Sequence, residues 1–144
     1  MRFEKSTGIK VRVLPEQQEF VAEEDMISDS LQKENVIGYD IFDGEQLIGF
    51  AMLCKYDDEE TGETCWFLWE YAIDAAQQGK GYGKKALLEL IELMRREFSM
   101  QVMTTTYIWG NTVAKNLYES IGFTETDVVD EPDCHEVNMI YRSE

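Results

Sequence analysis

The chain has 144 residues, 44% of them hydrophobic and 12% aromatic, which suits one globular domain with a sizeable core and argues against disorder. Its 29 acidic residues outnumber 13 basic ones, giving a formal net charge of −16; such a field repels nucleic acid and anionic membrane and attracts cations. No apolar run approaches the ~18 residues of a membrane helix, and MRFEKSTG lacks the apolar centre of a signal peptide, so a cytoplasmic location is expected.

In chain order, Ile9–Leu14 alternates like a short strand, although a helix end fits it too. Pro15 then opens a helix through Glu16–Ala22, with Glu16 and Glu19 suited to its first turns, and a second helix is expected over Met26–Lys33. Val36–Phe42 reads as a strand, Asp43-Gly44 as a hairpin turn and Leu47–Lys55 as the partner strand. After the acidic loop Asp57–Gly62 comes an aromatic strand, Thr64–Ile73. A helix follows the glycine-rich stretch and ends near Phe98, with Leu87, Leu90, Ile91, Met94 and Phe98 on one stripe. Val102–Ile108 is strand-like. Asn111 or Thr112 caps a shorter helix that stops at Gly122. Strands over Phe123–Val129 and Glu136–Arg142 finish the chain. The order predicts a mixed α/β sheet in a single domain spanning residues 1–144.

The cysteines Cys54, Cys65 and Cys134 form no CxxC pair, so they indicate neither a zinc site nor a redox motif. His135 is the one histidine, which makes a Ser-His-Asp triad improbable, and no metal is expected. The informative stretch is Gln77-Gln78-Gly79-Lys80-Gly81-Tyr82-Gly83-Lys84-Lys85, lying between a strand and a helix. Each glycine loses backbone entropy on ordering. Either the stretch is a turn without a ligand, or its bare N–H groups at a helix N-terminus cradle an anion, with Lys80 and Lys84 as counter-charge. A P-loop needs GxxxxGK[ST], but Gly79 and Gly83 are one residue too close and Lys85 stands where a hydroxyl is required. A Rossmann GxGxxG fails because position 84 is lysine.

Gln78-x-x-Gly81-x-Gly83 resembles the acetyl-CoA loop, Q/R-x-x-G-x-G/A, of the GNAT acetyltransferases. Asn111-x-x-Ala114-x-x-x-Tyr118-x-x-x-Gly122-Phe123 resembles a later helix of that family. The two motifs stand in the family's order, and the likeness covers roughly residues 36–141. More narrowly, FLWEYAID, QQGKGYGKKAL and PEQQEFVA are similar to a bacterial polyamine N-acetyltransferase branch. That branch has a strand and helix before the PEQ segment, whereas fourteen residues precede it here, so the N-terminal strand is expected to be missing or rebuilt. The branch also commonly has arginine where this chain has Glu70.

The resemblance implies acetyl-CoA as cosubstrate, held by Gln78, Gly79, Lys80, Gly81, Tyr82, Gly83 and Lys84. The backbones of Tyr71, Ala72 and Ile73 would bond the pantetheine arm as an added strand. Asn111 either touches the cofactor or caps its helix. It also implies that the Tyr118 hydroxyl protonates the leaving thiolate; the other reading is a tyrosine packed with Leu117 and Ile121. Glu70 is either a base or anchor for the amine or a solvent-facing strand residue. A base matters because an amine of pKa ~10.4 is neutral in only ~1 of 2,500 molecules at pH 7.

For the acceptor, the acidic charge points to a small cationic amine, first a polyamine such as spermidine or spermine, with aminoglycosides and peptide amines as alternatives. Glu16, Glu19, Glu23, Glu24 and Asp25 are expected along one wall of its cleft and Asp57–Glu60 along another, with Trp69 and Trp109 offering cation–π contacts. A CoA-binding module without catalysis is the reading from another class. A homodimer is left open; nucleic-acid and membrane partners are not expected.

Overall fold

The computed structural model describes residues 1–142; the last two residues of the single domain expected over 1–144 lie outside the described residues. The strands are β1 (Arg2–Lys5), β2 (Val36–Asp43), β3 (Gln46–Asp57), β4 (Thr64–Ile73), β5 (Val102–Ile108), β6 (Thr124–Glu131) and β7 (Cys134–Arg142). The helices are α1 (Glu24–Ser30), α2 (Tyr82–Phe98) and α3 (Thr112–Ile121). The strands form one 7-stranded sheet in the order β1-β2-β3-β4-β5-β7-β6. Only β4 and β5 run parallel among its pairs, as expected because α2 is the crossover between them.

The sheet buries both faces of its centre. On one face, the stripe Leu87, Leu90, Ile91 and Met94 of α2 meets Leu53, Leu68 and Met103. On the other, Phe50 and Met52 of β3 meet Ile27 of α1 and Val11 of the N-terminal segment. Helix α2 starts at Gly81, whose φ of 81° is open to glycine at little cost, and ends at Ser99 in the left-handed region with Arg95 and Arg96 in its last turn, where cations complement the helix dipole. Helix α3 is capped by Asn111, whose side chain accepts from the Ala114 amide at 3.2 Å.

The N-terminal strand, expected to be missing or rebuilt, is not missing: Arg2–Lys5 forms β1, which pairs antiparallel with β2 from Arg2↔Phe42 to Lys5↔Tyr39. Two further N-terminal expectations are corrected. Residues 9–14 are not a strand. They lie as a strap across the α1 face of the sheet, where Ile9 and Val11 fill the core between α1 and β3; their alternation reflects one buried side, not sheet pairing. The helix expected over Glu16–Ala22 is a 3-10 turn, Pro15–Phe20. Among the described residues, no helix is long and apolar enough to cross a membrane.

Candidate active site

The site arises where β4 and β5 part. Their parallel register runs from Cys65↔Val102 to Leu68↔Thr105. Strand β4 continues to Ile73, while β5 spends its remaining length on β7, ending with Ile108↔Glu136. The Thr105 hydroxyl donates to the Leu68 carbonyl at 3.0 Å and closes the seam at the point of divergence. Beyond it, Trp69–Ile73 presents to β5 a backbone edge that no strand covers, and buried edges of this kind require a partner. A cavity of about 590 Å³ runs along this edge, with Glu70–Ile73 on one side, Thr106–Ile108 on the other, and the strap and the glycine stretch at its ends.

A bulge sets the face on which Glu70 lies. Met52 pairs with Glu70 but Leu53 pairs with Leu68, so Trp69 is an extra residue on β4. One extra residue inverts the alternation of everything after it. Leu68 packs under α2, and so does Tyr71, three residues later. Trp69 and Ala72 pack with the core beneath α1. Glu70 is thereby turned to the strap side, where Oε1 accepts the Ala22 amide at 3.1 Å. It is 9% exposed, so the reading of Glu70 as a solvent-facing strand residue is excluded. Burial pushes its carboxyl up to about 7, with the Ala22 amide pulling the other way.

That shift has a consequence for stability. A carboxyl whose pKa is raised in the folded chain stabilises the fold fully below its ordinary value of 4.5, and this contribution is lost as pH rises through about 7. Glu70→Gln removes the dependence. Urea titrations at pH 4 and pH 8 are expected to show the variant gaining roughly 3 kcal/mol on the wild type between the two pH values. An equal difference at both pH values would contradict the buried carboxyl.

Across the cavity, Tyr118 is buried on α3. Burial pushes its hydroxyl up to about 12; a contact with Thr105 opposes this and the Glu70 carboxylate adds to it. The group is a neutral donor at every physiological pH. Next to it, Tyr71 donates to the Gly83 carbonyl at 2.6 Å and pins the first turn of α2 to β4.

The glycine stretch has the form of a cradle. Gly79 and Gly81 have φ of 76° and 81°, and a Cβ at either would meet nothing within 4 Å. The first amides of α2 have no intrahelical acceptor and no side chain caps them. Gly79, Gly81, Gly83, Gln78, Tyr82 and Asn111 all line the cavity. The two amide side chains and Tyr82 are also engaged within the chain. Gln78 Nε2 donates to the Ile73 carbonyl at 2.9 Å, the Tyr82 hydroxyl donates to Asp43 at 2.6 Å, and Asn111 caps α3. Lys80 and Lys84 do not line the cavity; Lys80 Nζ donates to Gln77 Oε1 at 3.1 Å. They flank the cradle without forming its wall.

The acidic walls are fewer than the sequence suggested. Glu16, in the 3-10 turn after the strap, lines the cavity, whereas Glu19, Glu23, Glu24 and Asp25 do not. Asp57–Glu60 lies in the β3–β4 hairpin, at the end of β4 opposite Ile73, where Asp58 accepts the Glu60 and Thr61 amides. Trp69 lines the cavity and Trp109 does not; Trp109 stacks on His135, ring centroids 5.0 Å apart. Glu136, on β7, supplies a wall that sequence reasoning missed. Its signal was the register of two late strands, which no local pattern discloses. The carboxylates on the walls are thus Glu16, Glu70 and Glu136, and no lysine, arginine or histidine joins them among the described residues.

The family follows at this point. Residues 9–123 match the model of the Acetyltransferase (GNAT) family, and the chain belongs to that family. It is similar to the ribosomal protein bS18 alanine N-acetyltransferase of Haemophilus influenzae, 34% identical over 97 residues, covering 67% of this chain and 61% of that one. It is also similar to the spermine/spermidine N(1)-acetyltransferase of Bacillus subtilis, 34% identical over 80 residues, covering 54% of this chain and 52% of that one. These matches therefore span between 52% and 61% of the relatives' length. Among solved structures, the aminoglycoside acetyltransferase AAC(6')-Ib in complex with coenzyme A has a TM-score of 0.67 at 25% identity, covering 82% of this chain and 72% of that one. The mixed seven-stranded sheet is the fold of these acetyltransferases.

Proposed function

We propose that the chain is a single-domain, acetyl-CoA-dependent N-acetyltransferase acting in the cytoplasm on a primary amine of a small cationic acceptor, a polyamine in the first instance. One observation carries the reading. The uncovered edge of β4 opens into a cavity that has the bare amides of the glycine stretch at one end, a buried neutral phenol beside it, and a wall bearing only carboxylates among its charged groups.

The residues present fit acetyl-CoA. A diphosphate rests against amides that side chains would obstruct, and the open Gly79 and Gly81 positions leave that space free. The pantetheine arm, which carries amides, completes the ladder along Tyr71, Ala72 and Ile73. Acetyl-CoA supplies the acetyl group as a thioester. Glu16 and Glu136 hold the cationic acceptor, and Trp69 packs against its methylene stem. Glu70 takes the proton that the ammonium must lose before its nitrogen can attack, and the neutral nitrogen then forms the C–N bond. Tyr118 donates to the sulfur as the C–S bond breaks, and the second nitrogen proton returns to the phenol as the amide forms. Glu70 then releases its proton to water, so the cycle closes with one proton lost per turnover.

A base titrating near 7 makes an acid limb in kcat/KM expected near that pH. In Glu70→Gln this limb disappears and the rate falls by roughly 10²-fold. Unaltered kinetics over pH 6–9 would remove Glu70 from the mechanism. The acceptor is tested by supplying acetyl-CoA with spermidine, spermine, an aminoglycoside and peptides with a free N-terminal alanine or lysine side chains. Acetylation of either polyamine at the highest kcat/KM supports the reading, and no acetylation of either rejects that acceptor. CoA binding without turnover of any amine would instead support a binding module.

A further inference from the structure

Three acids of the sheet are buried: Asp40 on β2, Glu70 on β4, and Asp74 directly after β4. Each holds part of the N-terminal segment that crosses them, Asp40 and Asp74 the strap and Glu70 the chain just after the 3-10 turn. Lys10 Nζ reaches Asp40 Oδ2 at 2.7 Å, the Ala22 amide reaches Glu70, and Arg12 is held by Asp74. Only Asp74 holds a second segment as well. Its Oδ1 accepts the Arg12 amide at 2.8 Å. Its Oδ2 accepts Arg12 Nη2 at 3.1 Å and the Ala76 amide at 3.0 Å. The Ala75 amide returns to the Arg12 carbonyl at 2.8 Å, and the Asp74 amide is fixed to the Ile48 carbonyl of β3 at 2.8 Å.

The two segments joined here both border the cavity. Arg12 precedes Val13, Leu14 and Glu16 of the acceptor wall, and Ala75–Gln77 is the turn that feeds the glycine cradle. Asp74 itself does not line the cavity. We propose that Asp74 is a positioning residue that holds the acceptor wall and the acyl-carrier cradle in register, so that filling one end of the site steadies the other. This rests on the function proposed above. A carboxylate suits the place because its two oxygens take three donors, Oδ2 bridging Arg12 Nη2 and the Ala76 amide while Oδ1 takes the Arg12 amide; an amide offers one acceptor oxygen, so it keeps either the bridge or the Arg12 amide but not all three bonds.

The test compares wild type, Asp74→Ala and Asp74→Asn by amide hydrogen exchange with and without CoA, and by steady-state kinetics. Without ligand, exchange in both variants is expected to quicken together in residues 11–22 and 75–83. With CoA, wild-type residues 11–22 are protected although they lie at the acceptor end; Asp74→Ala loses that protection. KM for acetyl-CoA and for the amine each rise about tenfold with kcat within about threefold, and Asp74→Asn falls between, a size usual for coupling between sites. Quickened exchange in only one segment overturns the proposal. So do unchanged KM values with CoA protection of 11–22 intact in a variant that has merely lost stability. Failure of the wild type to bind CoA would defeat the functional reading, while the ligand-free exchange would still decide whether Asp74 joins the segments.

Discussion

Tyr118→Phe is expected to lower kcat by roughly 10²–10³-fold while leaving CoA affinity within about twofold. The ring keeps its place, because its packing against Phe123, centroids 5.4 Å apart, does not involve the hydroxyl. What is lost is the one neutral donor on α3 that faces the open edge of β4. Its pKa near 12 also bounds its role. A thiol of pKa ~8.5 is the stronger acid, so complete transfer from the phenol is uphill, and the gain comes from donating as negative charge builds on sulfur. The expected loss is therefore in kcat rather than KM. Unchanged turnover in Tyr118→Phe would reduce this residue to a core tyrosine. A loss of CoA affinity equal to the loss of rate would place its contribution in binding.

The second large effect is expected from Gly81→Glu. An L-residue at φ 81° costs on the order of 1–2 kcal/mol, and the new side chain enters open space above the amides. A carboxylate there occupies the volume and opposes the charge of a diphosphate, so affinity for acetyl-CoA should fall by more than about 100-fold. Gly62→Glu is the control. Gly62 has φ 71° in the β3–β4 hairpin and nothing within 4 Å of a Cβ, so it bears a similar backbone cost away from the cavity. Comparable losses of CoA affinity in both variants would mean that backbone strain, not the cradle, is being measured.

The parts of the fold with strong local signals were legible in the sequence. The aromatic strand, the glycine stretch, the α2 stripe and the Asn111 cap all obey short-range rules, and each stands within a residue or two of its expected place. The N-terminal region was not legible, for a physical reason. Arg-Phe-Glu-Lys has little to mark it as a strand; it becomes β1 by pairing with the edge of β2, with Phe3 set edge-on to Tyr39 at 6.0 Å. The strap alternates like a strand yet gives its polar backbone to Asp74. The roles open to Glu70 were legible, but its burial was not, because the bulge at Trp69 that turns it to the strap side is a matter of register between strands. Glu136 was missed because its place depends on β7 pairing with β5.

On the proposed function, a cavity whose charged side chains among the described residues are all carboxylates must still accept a polyanionic acyl carrier. In that reading the anion would be met by main-chain amides, which add no charge to the acceptor half, and the cation by side chains. Tyr71, fixed to the Gly83 carbonyl, and Asp74, fixed to both Arg12 and Ala76, would keep the two parts in register.

Two-dimensional amide NMR of the wild type titrated with CoA tests the central claim most directly. The account predicts one saturable set of shifts, concentrated in the amides of residues 70–73 and 79–84 and in the first turn of α3. Absence of shifts at saturating CoA, or shifts confined to β1, α1 and the β3–β4 hairpin, would contradict it.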